Sequence, residues 1–309
     1  MTAATAELIA DRGEAAVDDQ FFRSAPFLEA EGATHTLRIE SDGGQLLAPV
    51  VVREIEGTGE RDAVSPYGYP GFAAPAGANL DPASIDFSAT GLVSIFIRHV
   101  LGPSPLAGAT GRNIVQIADP SQPPKSRPSD RRQVRRNLEA GYVVDLVPGP
   151  ETTPQQRAAF LAAYEQTMRR AGAAQHYFFG AGYFDRVFEA GGTWLALATA
   201  PTGELAAASI AAVSDGYLHY YLSGSTDPYL RDSPMKNVVT LLVEHSRELD
   251  LPLNLGGGIT AGDALEEFKR GFANRQQAWL TSELIGDEEK YARLSAGRKA
   301  SGFFPAYRA

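Results

Sequence analysis

"GTWLALATAPTGELAAASIAAVSDGYLHYYLSGSTDPYLRDSPMKNVVTLLVEHSRELDLPLNLGGG", Gly192 to Gly258, is the stretch that decides the fold class. Two runs of strand-forming residues flank a turn. Ser233 and Pro234 then give a cap-then-proline start to a helix of about four turns. "PLNLGGG" reads as a strand, and "DALEEFKRGF" as a short helix. Hairpin, helix, strand, helix is an α/β order with a mostly antiparallel sheet.

The same grammar extends upstream. "TPQQRAAFLAAYEQTMRRAG" begins with Thr153 as cap and Pro154 at the first helical position, and Phe160, Leu161, Tyr164 and Met168 form its stripe. "HTLRIESDGGQLLAPVVVREIEG" is a hairpin around the turn signal "SDGG". "ATGLVSIFIRHVLG" fits a helix or a buried strand. Between the halves, "SQPPKSRPSDRRQVRRNLEAGY" passes from a proline-rich linker to a basic helix. Its cap is Ser129 or Asp130, Val134 and Leu138 share a face, and Gly141 stops it. Arg131/Arg135 and Arg132/Arg136 run as two rows of positive charge along one side.

The chain has 309 residues, 44% of them hydrophobic, enough for two ordinary domains with proper cores. It has no cysteine, which removes disulfides, thiolate metal sites and cysteine nucleophiles. The N-terminus lacks the basic start and apolar core of a signal peptide, and no apolar run reaches membrane-spanning length, so a soluble cytoplasmic protein without membrane insertion is expected. A net charge of -9 argues against a protein that coats nucleic acid non-specifically, yet leaves room for a local basic site.

Several chemistries lack their motifs. There is no GxxxxGK[ST], HExxH or GxSxG, and His35, His99, His176, His219 and His245 are scattered, so neither metal nor cofactor is expected. "NLGGG" does not lead straight into a helix as a dinucleotide loop would. It reads either as an anion site or as a strand end that needs positive φ or close backbone approach. Leu265, Phe268 and Phe272 form a stripe with Lys269 at its margin, while Glu266, Glu267 and Arg270 point further away. Lys269 either snorkels past the core to water or holds charge in a partly desolvated cleft. "YLRDSPMKN" places Arg231 and Lys236 at a helix entry suited to anions. Pro234 and Lys236, however, stand where the pyrophosphate loop of acyl-CoA acetyltransferases, [QR]xxGx[GA], needs small residues.

"SPYGYPGF" (65–72), "RRQVRRNLEAGY" (131–142), "YEQTMRRAGAAQHYFF" (164–179), "LHYYLSGS" (218–225) and "LNLGGG" followed by "EEFKRGF" occur in this order. Together they resemble the FemABX-like branch of the GCN5-related N-acetyltransferase superfamily (GNAT) over nearly the whole chain, in its compact FemX type. The resemblance implies two tandem GNAT-like domains, each a mixed, mostly antiparallel sheet flanked by helices. The first is expected at 1–148, with 286–309 packing back on it, and the second, carrying the transfer site, at 149–285.

Many members transfer an aminoacyl group from aminoacyl-tRNA to an amine, and the resemblance implies that activity here. Their acceptors are peptidoglycan precursors or, as in pacidamycin assembly, peptide and nucleoside antibiotic intermediates. By this resemblance Phe268 and Lys269 lie at the transfer centre, Thr167 and Arg169 lie by the acceptor, and Tyr67, Tyr69 and Tyr221 join the acceptor side. Arg131, Arg132, Arg135 and Arg136 either meet tRNA phosphates or form a solvated face. The family's diphosphate-binding lysine has no counterpart, since the early segment offers Arg23, Arg38 and Arg53 but no lysine, and this argues against a UDP-linked acceptor; the sequence by itself does not decide between a free, UDP-linked and carrier-bound one. An acyl-CoA N-acyltransferase and a non-catalytic peptide- or nucleoside-binding protein are the competing readings.

Overall fold

A computed structural model describes residues 4–17, 19–298 and 302–309. Among them, packing separates two units. One comprises the described residues before Asp19, Phe22–Arg112 and those from Ala278 on, and the other comprises Asp19–Phe21 and Asn113–Gln277. The second unit thus starts at Asn113, where the sequence reading put the boundary after 148. The reason is local: the basic helix docks on a helix of the second unit through buried polar side chains, described below.

In the first unit, β1 (Ala4–Ile9) and α1 (Ala25–Ala30) precede β2 (His35–Ser41), β3 (Gly44–Ile55), β4 (Glu60–Val64), β5 (Ile85–Asp86) and β6 (Ser94–Arg98). β2 and β3 are the expected hairpin, with Ser41 opposite Gly44 across the Asp42-Gly43 turn. Gly44 has a φ of +115°, which glycine alone tolerates readily. β1–β2, β2–β3 and β3–β4 are antiparallel, and β1–β5 and β4–β6 are parallel. The ambiguous run "ATGLVSIFIRHVLG" is therefore a strand at its centre, and Ile95 and Ile97 are buried in the core with Leu37, Ile39, Leu46 and Val50.

The second unit holds β7 (Thr110–Ala118), α2 (Pro128–Glu139), β8 (Val143–Pro148), α3 (Pro154–Arg170), α4 (Ala181–Glu189), β9 (Thr193–Thr199), β10 (Leu205–Ser214), β11 (Tyr217–Ser225), α5 (Met235–Glu248), β12 (Leu253–Gly256) and α6 (Ala264–Arg270). Its strands run β7-β12-β11-β10-β9-β8 and are antiparallel except for β11 with β12. Both faces are covered. Ala196, Ala198, Leu218 and Leu253 pack with Val238, Val239 and Leu242 of α5. The alternate residues Leu195 and Leu197 are buried as well, and Gly224 lies against the backbone of α3 at Ala163 and Tyr164. The chain then returns to the first unit with β13 (Arg275–Ile285), antiparallel to β6, and α7 (Glu288–Ser295). Each unit is thus a mixed, mostly antiparallel sheet with helices.

Helix starts follow the sequence in one of three cases and depart from it in the other two. Thr153 forms a full capping box with Gln156, and Pro154 opens α3 as expected. α2 instead starts at Pro128 with Arg127 as its cap, ahead of the expected Ser129 or Asp130. Ser233 adopts left-handed φ of 50° and Pro234 caps α5 without a side-chain bond, so the serine shapes the turn rather than capping the helix.

Candidate active site

The parallel pair β11–β12 is short. Leu218 pairs with Leu253 and His219 with Asn254, after which β11 runs on to Ser225 while β12 ends at Gly256. A side-chain link marks the last pair: Asn254 Nδ2 donates to His219 Nδ1 (3.1 Å), and the other ring nitrogen bonds Ser214 O (3.2 Å). Burial pushes the His219 pKa down to about 4, so the ring is a neutral brace.

Lys269 occupies the place where the strands part. Its Nζ donates to Gly257 O at 2.7 Å and stands 5.9 Å from the ring centre of Tyr220. Lys269 is 8% exposed, and among the described residues no carboxylate forms an ion pair with it. Burial pushes its pKa down to about 8, against a smaller opposing pull from Asp263. At neutral pH it is therefore mostly an ammonium, with three N–H donors and one bonded protein acceptor among the described residues. Phe268 packs on Phe272, ring centres 5.5 Å apart, and fixes the helix against the core.

The rest of α6 departs from its expected stripe. Leu265 is 39% exposed, whereas Glu266 is buried: its Oε2 accepts from Gly262 N (2.7 Å), and it also pairs with Arg270. An acidic side chain is kept inside because it satisfies loop backbone that would otherwise lack a partner.

The remaining predicted residues fall into separate groups. Thr167 Oγ1 bonds Ser225, accepting from its N at 2.9 Å, and so ties α3 to the end of β11. Arg169 points outward to Glu165 (2.5 Å). Its neighbour Arg170 instead joins the corner, reaching Thr167 Oγ1 (3.0 Å) and Asp227 (2.5 Å). A register shift of β11 against β10 leaves Tyr221 between the paired residues Tyr220 and Leu222. Tyr220 faces Lys269, while Tyr221 bonds Tyr183 OH (2.6 Å) and meets Phe21. Tyr220 was not among the sequence candidates; a bulge in the strand leaves no sequence signal that separates the two tyrosines. In the first unit, Tyr69 packs between Phe22 and Trp279, each 5.5 Å away, and Tyr67 is exposed. Arg23, Arg38 and Arg53 are engaged with Pro70 O, Glu7 and Asp62.

α2 docks by a polar face. Asp130, 5% exposed, pairs with Lys236 of α5 at 2.9 Å. Asn137 Nδ2 reaches Asn237 Oδ1 (2.7 Å) and Asp232 O (2.9 Å), and Gln133 also reaches Asp232 O (3.0 Å). Leu138 is 48% exposed, so the expected Val134–Leu138 face is not the buried one. This docking turns Arg131, Arg132, Arg135 and Arg136 outward. Arg131 donates to Ser126 O, and among the described residues the other three form no ion pair. By contrast, the arginines of α3 and α4 at 157, 169, 170 and 186 are each matched to a carboxylate.

Among the described residues no group of three or more His, Asp or Glu is placed to hold a metal ion, and no helix is long and apolar enough to cross a membrane.

Residues 124–270 match the family model described as acetyltransferase (GNAT) domain. No curated protein matches the sequence. Among solved structures, FemX matches with a TM-score of 0.64 at 12% identity, over 93% of this chain and 99% of its own. L-PGS from Bacillus licheniformis matches with a TM-score of 0.55 at 11% identity, over 85% of this chain and 90% of its own. The C-terminal domain of a putative lysylphosphatidylglycerol synthetase from Agrobacterium fabrum matches with a TM-score of 0.55 at 13% identity, over 88% of this chain and 89% of its own. The chain carries a FemX-like fold, and its match to the acetyltransferase (GNAT) domain model runs from the linker before α2 to the end of α6.

Proposed function

We propose that the chain is an aminoacyl-tRNA-dependent aminoacyltransferase of the cytoplasm that forms a peptide bond with the amine of a peptide or peptidyl-nucleoside acceptor. The observation that carries this reading is the desolvated ammonium of Lys269 at the parting of β11 and β12. An ester on a tRNA 3′ end is already activated, so no nucleotide hydrolysis is needed. The neutral acceptor amine attacks the ester carbonyl, a C–N bond forms, and the tetrahedral oxyanion collapses with cleavage of the C–O bond to ribose. The amine's proton ends on the departing ribose hydroxyl. Lys269 stabilises the oxyanion or the leaving oxygen from a dry site, where such a donor contributes about 3 to 4 kcal/mol. No side chain stands out as an obligatory base, which leaves the substrates' own groups to relay the proton.

The α5 entry supports a donor other than acyl-CoA. Pro234 has no N–H to offer, the amides of Lys236 and Asn237 bond Ser233 O and Pro234 O (3.0 and 2.9 Å), and the Lys236 side chain is taken by Asp130. The outward arginines of α2 suit the phosphates of an acceptor stem, a local contact on an acidic protein. Within the second unit, Tyr221, Thr167 and Arg169 are the acceptor-side residues that the family resemblance implies.

The test offers total charged tRNA and acetyl-CoA in parallel, each with a labelled acyl group and a mixture of amine acceptors. Label moving from tRNA to an amine is the expected result. Transfer from acetyl-CoA alone would assign the rival acyl-CoA activity, and acceptor binding with neither donor consumed would leave a binding protein.

A further inference from the structure

The three glycines that end β12 each answer to a different neighbour. Gly256 has a φ of +76°, and a Cβ there would lie 3.1 Å from Lys269 Nζ. A Cβ on Gly257 would come within 2.5 Å of Asn113 Nδ2, and one on Gly258 within 2.5 Å of Asp263 Oδ1. Contacts this close exclude any larger residue unless the neighbour moves. The loop is wound tightly between two polar side chains and the lysine.

Those two side chains hold it from opposite ends. Asn113 Nδ2 donates to Gly258 O (3.0 Å), and its own Oδ1 is fixed by Ile114 N (2.7 Å). Asp263 accepts from Ile259 N (2.7 Å), Thr260 N (3.0 Å) and Glu266 N (2.8 Å), so it caps α6 and closes the loop at once. Gly257, one residue from the Asn113 anchor, turns its carbonyl onto Lys269. Beyond the anchors the loop is open to water, with Ile259 80% exposed. Among the described residues Asn113 is therefore the one side chain whose hydrogen bond ties the lysine-facing half of the loop to β7.

We propose that Asn113 is a positioning residue: by holding Gly258 it keeps the Gly257 carbonyl on Lys269 and keeps water off the ammonium. Its consequence for turnover rests on the aminoacyl-transfer reading, while the contact itself does not. Without the anchor the loop swings, the carbonyl leaves, and the ammonium is hydrated again. Burial is the main cause of the lowered Lys269 pKa, so rehydration raises it. The other groups facing the ammonium are Asp263, whose charge favours it, and Tyr220, whose phenol burial pushes up to about 12 and so keeps neutral.

The test is a titration of Lys269 with neither tRNA nor acceptor present. Competitive acetylation by acetic anhydride across the pH range, read by peptide mass spectrometry, resolves Lys269 from Lys125, Lys236, Lys290 and Lys299, which serve as internal references. The expected midpoint for Lys269 in the native protein is about 8. In Asn113→Ala its midpoint rises by about one pH unit or more toward the ordinary lysine value. Gly257→Ala, which displaces the same amide from the other side, shifts it in the same direction. A midpoint unchanged in either variant while circular dichroism shows a folded protein overturns the proposal, as does a native midpoint at the ordinary value. With charged tRNA added, Asn113→Ala lowers kcat with little change in the acceptor KM. Because the titration needs no turnover, failure of the transfer assay and failure of this inference are separate results.

Discussion

Lys269 Nζ lies 2.7 Å from the carbonyl oxygen of Gly257, and that bond joins the last turn of α6 to the glycine end of β12. It places a cation just past the final β11–β12 pair, inside the gap the two strands open. Little else in the second unit combines charge, burial and a spare donor.

The pH dependence follows from the lowered Lys269 pKa. If the ammonium is the working form, transfer falls as pH rises through about 8. Stability moves the other way. Between about 8 and the unfolded value of 10.5 the unfolded chain binds the extra proton, so burial of the lysine costs stability below this window and the cost disappears as pH rises through it. The span corresponds to about 3 kcal/mol. Denaturant midpoints of native protein and Lys269→Met at pH 7 and pH 10 check it: the native protein gains relative to the variant on going to pH 10.

Charge reversal on α2 separates an RNA contact from a solvated face. Glu at positions 131, 132, 135 and 136 is expected to weaken aminoacyl-tRNA binding and to flatten the slope of log affinity against log salt. The melting temperature should change little, because the four arginines are exposed and the buried face of α2 is Asp130, Gln133 and Asn137. Binding isotherms at several salt concentrations provide the measurement.

Gly224 lets α3 lie on β11. A Cβ there would meet the backbone of Ala163 and Tyr164, which cannot rotate away. Gly224→Ala is expected to cost about 3 kcal/mol. Gly182→Ala in α4 has open space around the added methyl and is expected to gain about 0.5 kcal/mol. Urea unfolding of both variants checks the contrast.

In the first unit, Asp62 is fully buried and receives Arg53 Nε (2.9 Å), Arg308 Nε (2.5 Å) and Tyr307 OH (3.1 Å), so it fastens the C-terminal segment to β4. Asp62→Ala is expected to cost about 3 kcal/mol, because its partners lose their acceptor together. Faster proteolysis of the C-terminus, alongside a lower unfolding midpoint, would be its signature.

Much of this was legible from local chemistry. The "SDGG" hairpin, the Thr153–Pro154 start of α3 and the Gly141 stop with its φ of +95° all follow from turn and cap rules. The misses share a cause. Apolar periodicity locates apolar faces, and α2 buries a polar one, so Val134 and Leu138 misled where Asp130, Gln133 and Asn137 decide. Strand alternation separates neighbouring side chains without saying which face holds the site, and here Tyr221 bonds Tyr183 while Tyr220 faces Lys269. Asn113 carries no local signal, since its partner Gly258 is distant along the chain.

The most direct measurement is single-turnover transfer from charged tRNA by native protein and Lys269→Met, following the labelled amino acid from tRNA ester to amide at pH 7. The predicted result is a loss of roughly 100- to 1,000-fold in rate, with acceptor affinity retained and the tRNA ester left intact. Equal rates for the two proteins would contradict the account.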